Sequence, residues 1–314
     1  MTRRVHRRAA AWATFAGIVL VPSVASAHHE ALFGPQSSLA VESQGFASFQ
    51  THVHAYGLGA TQTTETTSIL SGGISPFANV PIGFALIQPF TYQTTRAPTP
   101  DGSVGPFSAC DGCLRMENSL VAAQYRFDFT ELQRDFGKDG NFALMSGALE
   151  VPTGNKDYSP FQGPFNFIIT GMLGFEKGPW STVALGYYRR NTPDFASSKK
   201  GDNFLLALGG AYTPLDEAGA MFSMQLGVGY EYHLRDAVDG AAIDASGGGQ
   251  LLLSPTLVGS FVPHLRVFAL VTLPAAQSMR GDDVTDRWRA GVGIIYSFER
   301  DQPGPPVAAS RVSP

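Results

Sequence analysis

The 314-residue sequence predicts an all-β fold, a transmembrane antiparallel up-and-down β-barrel of about 12 strands. Three observations carry that expectation. The chain opens with an export leader, charged residues make up only 15% of it, and the remainder alternates apolar with small or polar residues at the period of a strand.

In the leader, Arg3, Arg4, Arg7 and Arg8 precede an apolar stretch from Ala9 to Val21 that ends in Ala25-Ser26-Ala27. A basic start, an apolar centre and a small-residue cleavage site make a secretory signal peptide, here residues 1–27. The apolar centre is about 13 residues, short of the roughly 20 that a membrane-spanning helix needs, and no later segment is an unbroken apolar run of that length. Cleavage would leave His28 rather than a cysteine at the new end, so a lipid anchor has no attachment residue, and the twin arginines lack the apolar residues expected after them. The expected destination is the outer membrane of a Gram-negative cell.

Losing the four leader arginines leaves 18 basic against 26 acidic residues, a formal charge of −8. That argues against nucleic acid as a partner, because nucleic-acid-binding proteins present a basic face. A charged fraction of 15%, against roughly 25% in ordinary soluble domains, favours a chain that faces lipid.

Strands are read near 46–56, 64–74, 81–95, 117–129, 141–152, 164–175, 179–190, 202–213, 220–233, 249–262, 265–274 and 286–298. The two clearest are Asn118 to Phe129 and Met221 to His233. In the first, Ser119, Val121, Ala123, Tyr125, Phe127 and Phe129 share one face, and Ala122, Gln124, Arg126 and Asp128 the other. In the second, Phe222, Met224, Leu226, Val228, Tyr230 and Tyr232 oppose Ser223, Gln225, Gly227, Gly229, Glu231 and His233. One greasy face and one ionic face fit a boundary between lipid and lumen. The Thr-rich second strand and the third, which carries Pro89, show the pattern least clearly.

Both termini of bacterial barrels are normally periplasmic, so connections after odd-numbered strands should be long and those after even-numbered strands short. The odd set, near 57–63, 96–116, 153–163, 191–201, 234–248 and 275–285, fits. So do Ser75 to Val80, Glu176-Lys177-Gly178, Pro214 to Gly219 and Pro263-His264 among the even set, while Glu131 to Gly140 is longer than expected. Tyr187, Tyr230 and Tyr232 fall near outer strand ends, and Phe127, Phe129, Trp180, Tyr296 and Phe298 near inner ends, as interfacial girdles require. A soluble β-sandwich also alternates, but would carry more charge outside. Residues 28–45 form a head read as periplasmic or tucked into the barrel mouth, the barrel runs over 46–298, and the Pro-, Ala- and Ser-rich tail 299–314 is read as disordered.

The segment Gly147-Ala148-Leu149-Glu150-Val151-Pro152-Thr153-Gly154 resembles the strand-ending Leu-Pro-Thr-Gly type motif of the outer-membrane proteins of meta-pathway phenol degradation, a family of transporter barrels. Leu251-Leu252-Leu253-Ser254-Pro255-Thr256-Leu257, Leu273-Pro274 and Gly291-Val292-Gly293 with Tyr296 and Phe298 are similar to that family's last three strands, in the same order. The resemblance covers roughly residues 140–298 and implies a barrel that admits small, often aromatic, molecules. The His-led head, the Cys110/Cys113 loop and the tail beyond Phe298 depart from the family pattern, and Phe298 becomes an internal candidate for the terminal aromatic that signals barrel assembly.

Read from the residues, the expected inward set is Gln50, Gln88, Gln124, Arg126, Asp128, Glu150, Asn203, Gln225, Glu231, Arg266, Arg287 and Arg289, joined by His52, His54 and His233. Inward glycines and alanines leave room between them. Arg287 and Arg289 are expected to face the lumen together, because a lipid-facing arginine at mid-membrane costs about 2 to 4 kcal/mol, and to form a positive strip that favours anions unless nearby acids such as Glu231 or Asp128 neutralise it. Cys110 and Cys113 lie in the longest outer loop, where an oxidising compartment favours a small disulfide over free thiols or metal. Leu114 stands where a c-type haem site needs histidine. His28 and His29 at the mature terminus offer an amine and imidazoles to copper, with a merely polar terminus as the other reading.

A hydrolase is not expected. Ser223 and His233 share a face but stand about 33 Å apart along the strand, and no G-x-S-x-G, H-E-x-x-H or phosphate loop occurs. No cofactor is called for. The expected function is passage of small solutes, including aromatic or hydrophobic compounds, with a closed structural or surface-interaction barrel plugged by ion pairs and by the head as the alternative. The expected partners are outer-membrane lipid and lipopolysaccharide, a small-molecule solute and the barrel-assembly machinery.

Overall fold

A computed structural model describes residues 45–58, 61–77, 81–98, 104–106, 114–128, 141–154, 165–193, 198–217, 220–262, 264–280 and 285–298. The leader, His28 and His29, Cys110 and Cys113, and the tail fall outside them. Twelve antiparallel strands form a single closed sheet, and the described residues contain no helix. The barrel strands are β1 (Gly45–Leu58), β2 (Thr61–Ile74), β3 (Ile82–Pro98), β6 (Ser119–Asp128), β7 (Asn141–Val151), β8 (Asn166–Lys177), β9 (Trp180–Arg190), β11 (Asn203–Glu217), β12 (Ala220–His233), β15 (Gly248–Val262), β16 (Leu265–Met279) and β17 (Thr285–Phe298). Short strands β4 (Val104–Pro106), β5 (Leu114–Met116), β10 (Ser198–Lys199), β13 (Ala237–Val238) and β14 (Ala241–Ala242) lie in the outer connections.

Sequential neighbours pair all the way round, and β1 closes the ring on β17 from Gly45 against Phe298 to Gly57 against Thr285. Closure leaves no open edge, which a hydrocarbon environment demands of a β-structure. The strands match the twelve expected from alternation, even the Thr-rich one and the one bearing Pro89. Two boundaries move. β1 and β2 run on to Leu58 and Thr61, so the first outer connection is two residues rather than a long loop. β16 continues past Pro274 to Met279, because β15 extends alongside it and Gln277 holds both the backbone N–H and the C=O of Asp286. The inner turn at Gly178-Pro179 is tight, and Gly178 takes a φ of 57° that favours glycine.

The two faces separate as the alternation requires. Leu206, Leu208, Leu226, Ile169, Phe167 and Val292 are exposed outward, while their sequence neighbours are buried inward. Aromatic pairs mark both rims on the same two strands: Tyr188 with Phe204 at 4.8 Å near the outer ends, and Trp180 with Tyr212 at 4.6 Å near the inner ends. Tyr187 is therefore a correction. It is buried on the inner face, and Tyr188 holds the outer girdle position, since both parities of Tyr187-Tyr188-Arg189-Arg190 read alike.

Three inward glycines, Gly174, Gly291 and Gly293, do not leave empty space, contrary to the expectation. A Cβ at Gly174 would strike the Phe142 ring, one at Gly293 the Phe268 ring, and one at Gly291 the His52 ring. Each glycine seats a neighbouring ring flat against the wall. Over Phe142 lies the Arg126 guanidinium, 4.6 Å from the ring centroid, so glycine, ring and cation form one stack at the inner end. Gly174→Ala should consequently cost about 1–3 kcal/mol by forcing the ring off the wall. A denaturant midpoint unchanged from the parent barrel would contradict this seating.

Candidate functional site

The inner face of the barrel is the candidate site, and it is layered. Its outer end holds charged side chains bound to one another. Glu231 of β12 accepts from Arg289 Nη2 at 3.1 Å and from Gln250 Nε2 at 2.8 Å through Oε2, and its Oε1 meets His233 Nε2 at 3.0 Å. Arg289 also pairs with Asp286, whose Oδ1 is 2.8 Å from His54 Nε2. This network ties β1 and β17 to β12 across the two strands between them. A second buried pair joins Arg189 Nη2 to Glu150 Oε2 at 2.7 Å, with Asn118 Nδ2 donating to Glu150 Oε1 at 3.1 Å. Glu65, also buried, accepts from Thr67 at 3.4 Å, and Arg115 Nη2 donates to Gln93 at 2.6 Å.

Apolar side chains are interleaved with these groups: Leu120 pairs across the sheet with Glu150, Leu205 with Glu231, Leu144 with Arg126 and Ile295 with Arg266. Ile69, Leu120, Leu144, Ile168, Met172, Val183, Leu185, Leu205, Leu252, Leu270 and Ile295 are all buried on the inward parity of their strands and form one cluster. At the inner end Arg126 and Arg266 are buried beside Phe142 and Phe268. The inner face thus mixes apolar, polar and charged side chains, with most of the ion pairs gathered at the outer end.

Of the expected inward residues, Gln50, His52, His54, Gln124, Arg126, Glu150, Asn203, Gln225, Glu231, Arg266 and Arg289 are buried on the inner face, and His233 lies at its rim. The Asp128 side chain falls outside the described residues. Two expectations are corrected. Gln88 lies on the opposite parity of β3 and binds outward, donating to the Pro89 and Glu117 carbonyls and accepting from Ser119. Arg287 is the extra residue of a β-bulge, where Ala55 pairs with Trp288 and Tyr56 with Asp286. It is exposed, so the two arginines do not share a face. The bulge resets the alternation and points Asp286 inward, where it and Glu231 neutralise Arg289. The expected positive strip is absent for that reason.

Sequence reasoning missed Asp286, Arg189 and Asn118 as network members. Glu65 carried a usable signal, since an acid alternating with Thr64 and Thr66 cannot be the lipid-facing residue of its strand. Ser223 and His233 stay apart: Ser223 is fully buried near Gln225, and His233 pairs with Glu231.

No protein-family model matches the chain, and no curated protein matches it in sequence. Among solved structures, an outer membrane channel from Pseudomonas putida F1 superposes with a TM-score of 0.59 at 13% identity, covering 82% of this chain and 96% of that one. The β domain of the Bordetella autotransporter BrkA gives 0.48 at 11% identity, over 81% and 100%, and the KdgM porin 0.42 at 13%, over 81% and 99%. The first likeness shows the fold, that of outer-membrane barrels.

Proposed function

We propose that this chain is an outer-membrane channel for small, uncharged apolar or aromatic solutes, delivered by the leader at residues 1–27 and inserted with Phe298 as its internal assembly signal. The observation that carries the reading is the apolar share of the inner face, a cluster of leucine, isoleucine, valine and methionine set among polar groups. Such a lining offers an apolar solute contact area, while the charged groups of the face are bound to one another rather than left to a passing ion. Twelve strands also enclose less space than the sixteen of wide porins. The resemblance to phenol-degradation barrels supports aromatic cargo, and the apolar exterior between two aromatic rims supports contact with lipid and lipopolysaccharide.

The test is entry of N-phenyl-1-naphthylamine into intact Gram-negative cells, whose outer membrane excludes it. Expression of the folded barrel should raise the entry rate several-fold, with little ion conductance in planar bilayers. Unchanged dye entry, or a wide ohmic pore, would remove this reading.

A second reading, a closed structural barrel, is favoured by the deep burial of the inner face, where Leu252 and Thr272 have no exposed surface. There the head at residues 28–45 completes a plug. Deleting residues 30–43 should then raise conductance, and an unchanged trace would count against the plug.

A further inference from the structure

Midway along three adjacent strands runs a row of inward polar side chains whose oxygen atoms the barrel itself does not satisfy. Gln124 of β6 pairs across the sheet with Ser146 of β7, and Ser146 with Thr170 of β8. All three face inward, at 5%, 6% and 2% exposure. Gln124 Oε1, Ser146 Oγ and Thr170 Oγ1 are buried and have no hydrogen-bond partner, although side chains in adjacent strands stand only about 4.5–5.5 Å apart. The row is edged on one side by Ala122, Ala148 and Ile168 and on the other by Arg126, Leu144 and Met172. None of the three carries a formal charge.

Buried polar atoms are almost always paired, and one left unmet is costly, so three in line across adjacent strands need an occupant. We propose that Gln124, Ser146 and Thr170 form a hydrogen-bonding station for the solute, selecting uncharged molecules with an apolar body and a hydroxyl group over the matching hydrocarbon. This rests on the channel reading and names the solute chemistry for it. The Gln124 carbonyl oxygen only accepts, while the Ser146 and Thr170 hydroxyls both donate and accept. A solute hydroxyl donates to the first and accepts from either of the others, with its apolar body against the flanking leucine and methionine. A hydrocarbon of the same shape leaves the row unmet and is rejected for that reason.

The experiment is equilibrium dialysis of 2-naphthol and naphthalene against the full barrel in lipid nanodiscs, with binding to empty discs subtracted. The parent should bind 2-naphthol about tenfold more tightly than naphthalene, one net hydrogen bond's worth of preference. The combined variant Gln124→Leu, Ser146→Ala and Thr170→Val should bind both alike. It removes unmet polar atoms and keeps side-chain size, so the barrel should remain folded, which heat-modifiable gel migration checks. Equal affinities in the parent, a preference that survives in the folded variant, or no naphthol binding by the folded parent would each overturn the station. Failure of the channel reading shows separately, as unchanged dye entry into cells expressing the parent.

Discussion

Arg289→Met is expected to be the most damaging single change inside the barrel, lowering stability by about 3–5 kcal/mol. The guanidinium is the shared partner of Glu231 and Asp286, all three almost wholly buried, and removing it leaves two carboxylates in a low-dielectric interior without the cation they share, held only by His233, Gln250 and His54. The loss should appear in urea unfolding of the barrel in micelles, followed by heat-modifiable migration. A buried ion pair is weak evidence for net stabilisation, so the effect should vanish when the whole network is neutralised together. The triple variant Arg289→Met, Glu231→Gln, Asp286→Asn should return close to the parent. A single variant within about 1 kcal/mol of the parent, or a triple variant as weak as the single, would show that the network does not hold these strands as described.

On the outer face, Leu208→Arg should cost about 2–4 kcal/mol and reduce insertion into lipid vesicles, while Leu208→Phe should be nearly neutral. Leu208 is 67% exposed and lies midway between the two aromatic rims of β9 and β11, where hydrocarbon is deepest. On a soluble sheet such an arginine would be harmless or would help solubility. Normal insertion and an unchanged unfolding midpoint for Leu208→Arg would therefore argue that this face meets water.

The alternation made the fold readable because lipid and lumen impose opposite demands on adjacent residues. Phe222 to Tyr232 against Ser223 to His233 survives unchanged in the structure, as does Tyr125 against Arg126. The reading weakened where both faces look alike. Tyr187-Tyr188-Arg189-Arg190 offers an aromatic and an arginine to each side, and only pairing with β8 and β11 settles that Tyr187 and Arg189 turn inward. Gln88 was misplaced for a related reason: beside Pro89 the β3–β6 pairing gives way to side-chain bonds, which satisfy an outward glutamine locally.

By itself the sequence determined the strand count, the strand limits to within a few residues and the facing of the most regular strands, because period-two patterning is a local property that survives any arrangement of neighbours. The bulge at Arg287 was decided only in the tertiary structure, since one extra residue against β1 inverts the parity of everything beyond it and brings Asp286 to Arg289. So too was the character of the lumen. Which inward residues meet depends on register around a closed ring, and register brings Glu231, Arg289, Asp286, His54 and His233 together at the outer end while Arg126 and Arg266 stand at the inner end. Contacts between residues more than two hundred positions apart, such as His54 with Asp286, exist only because the sheet closes.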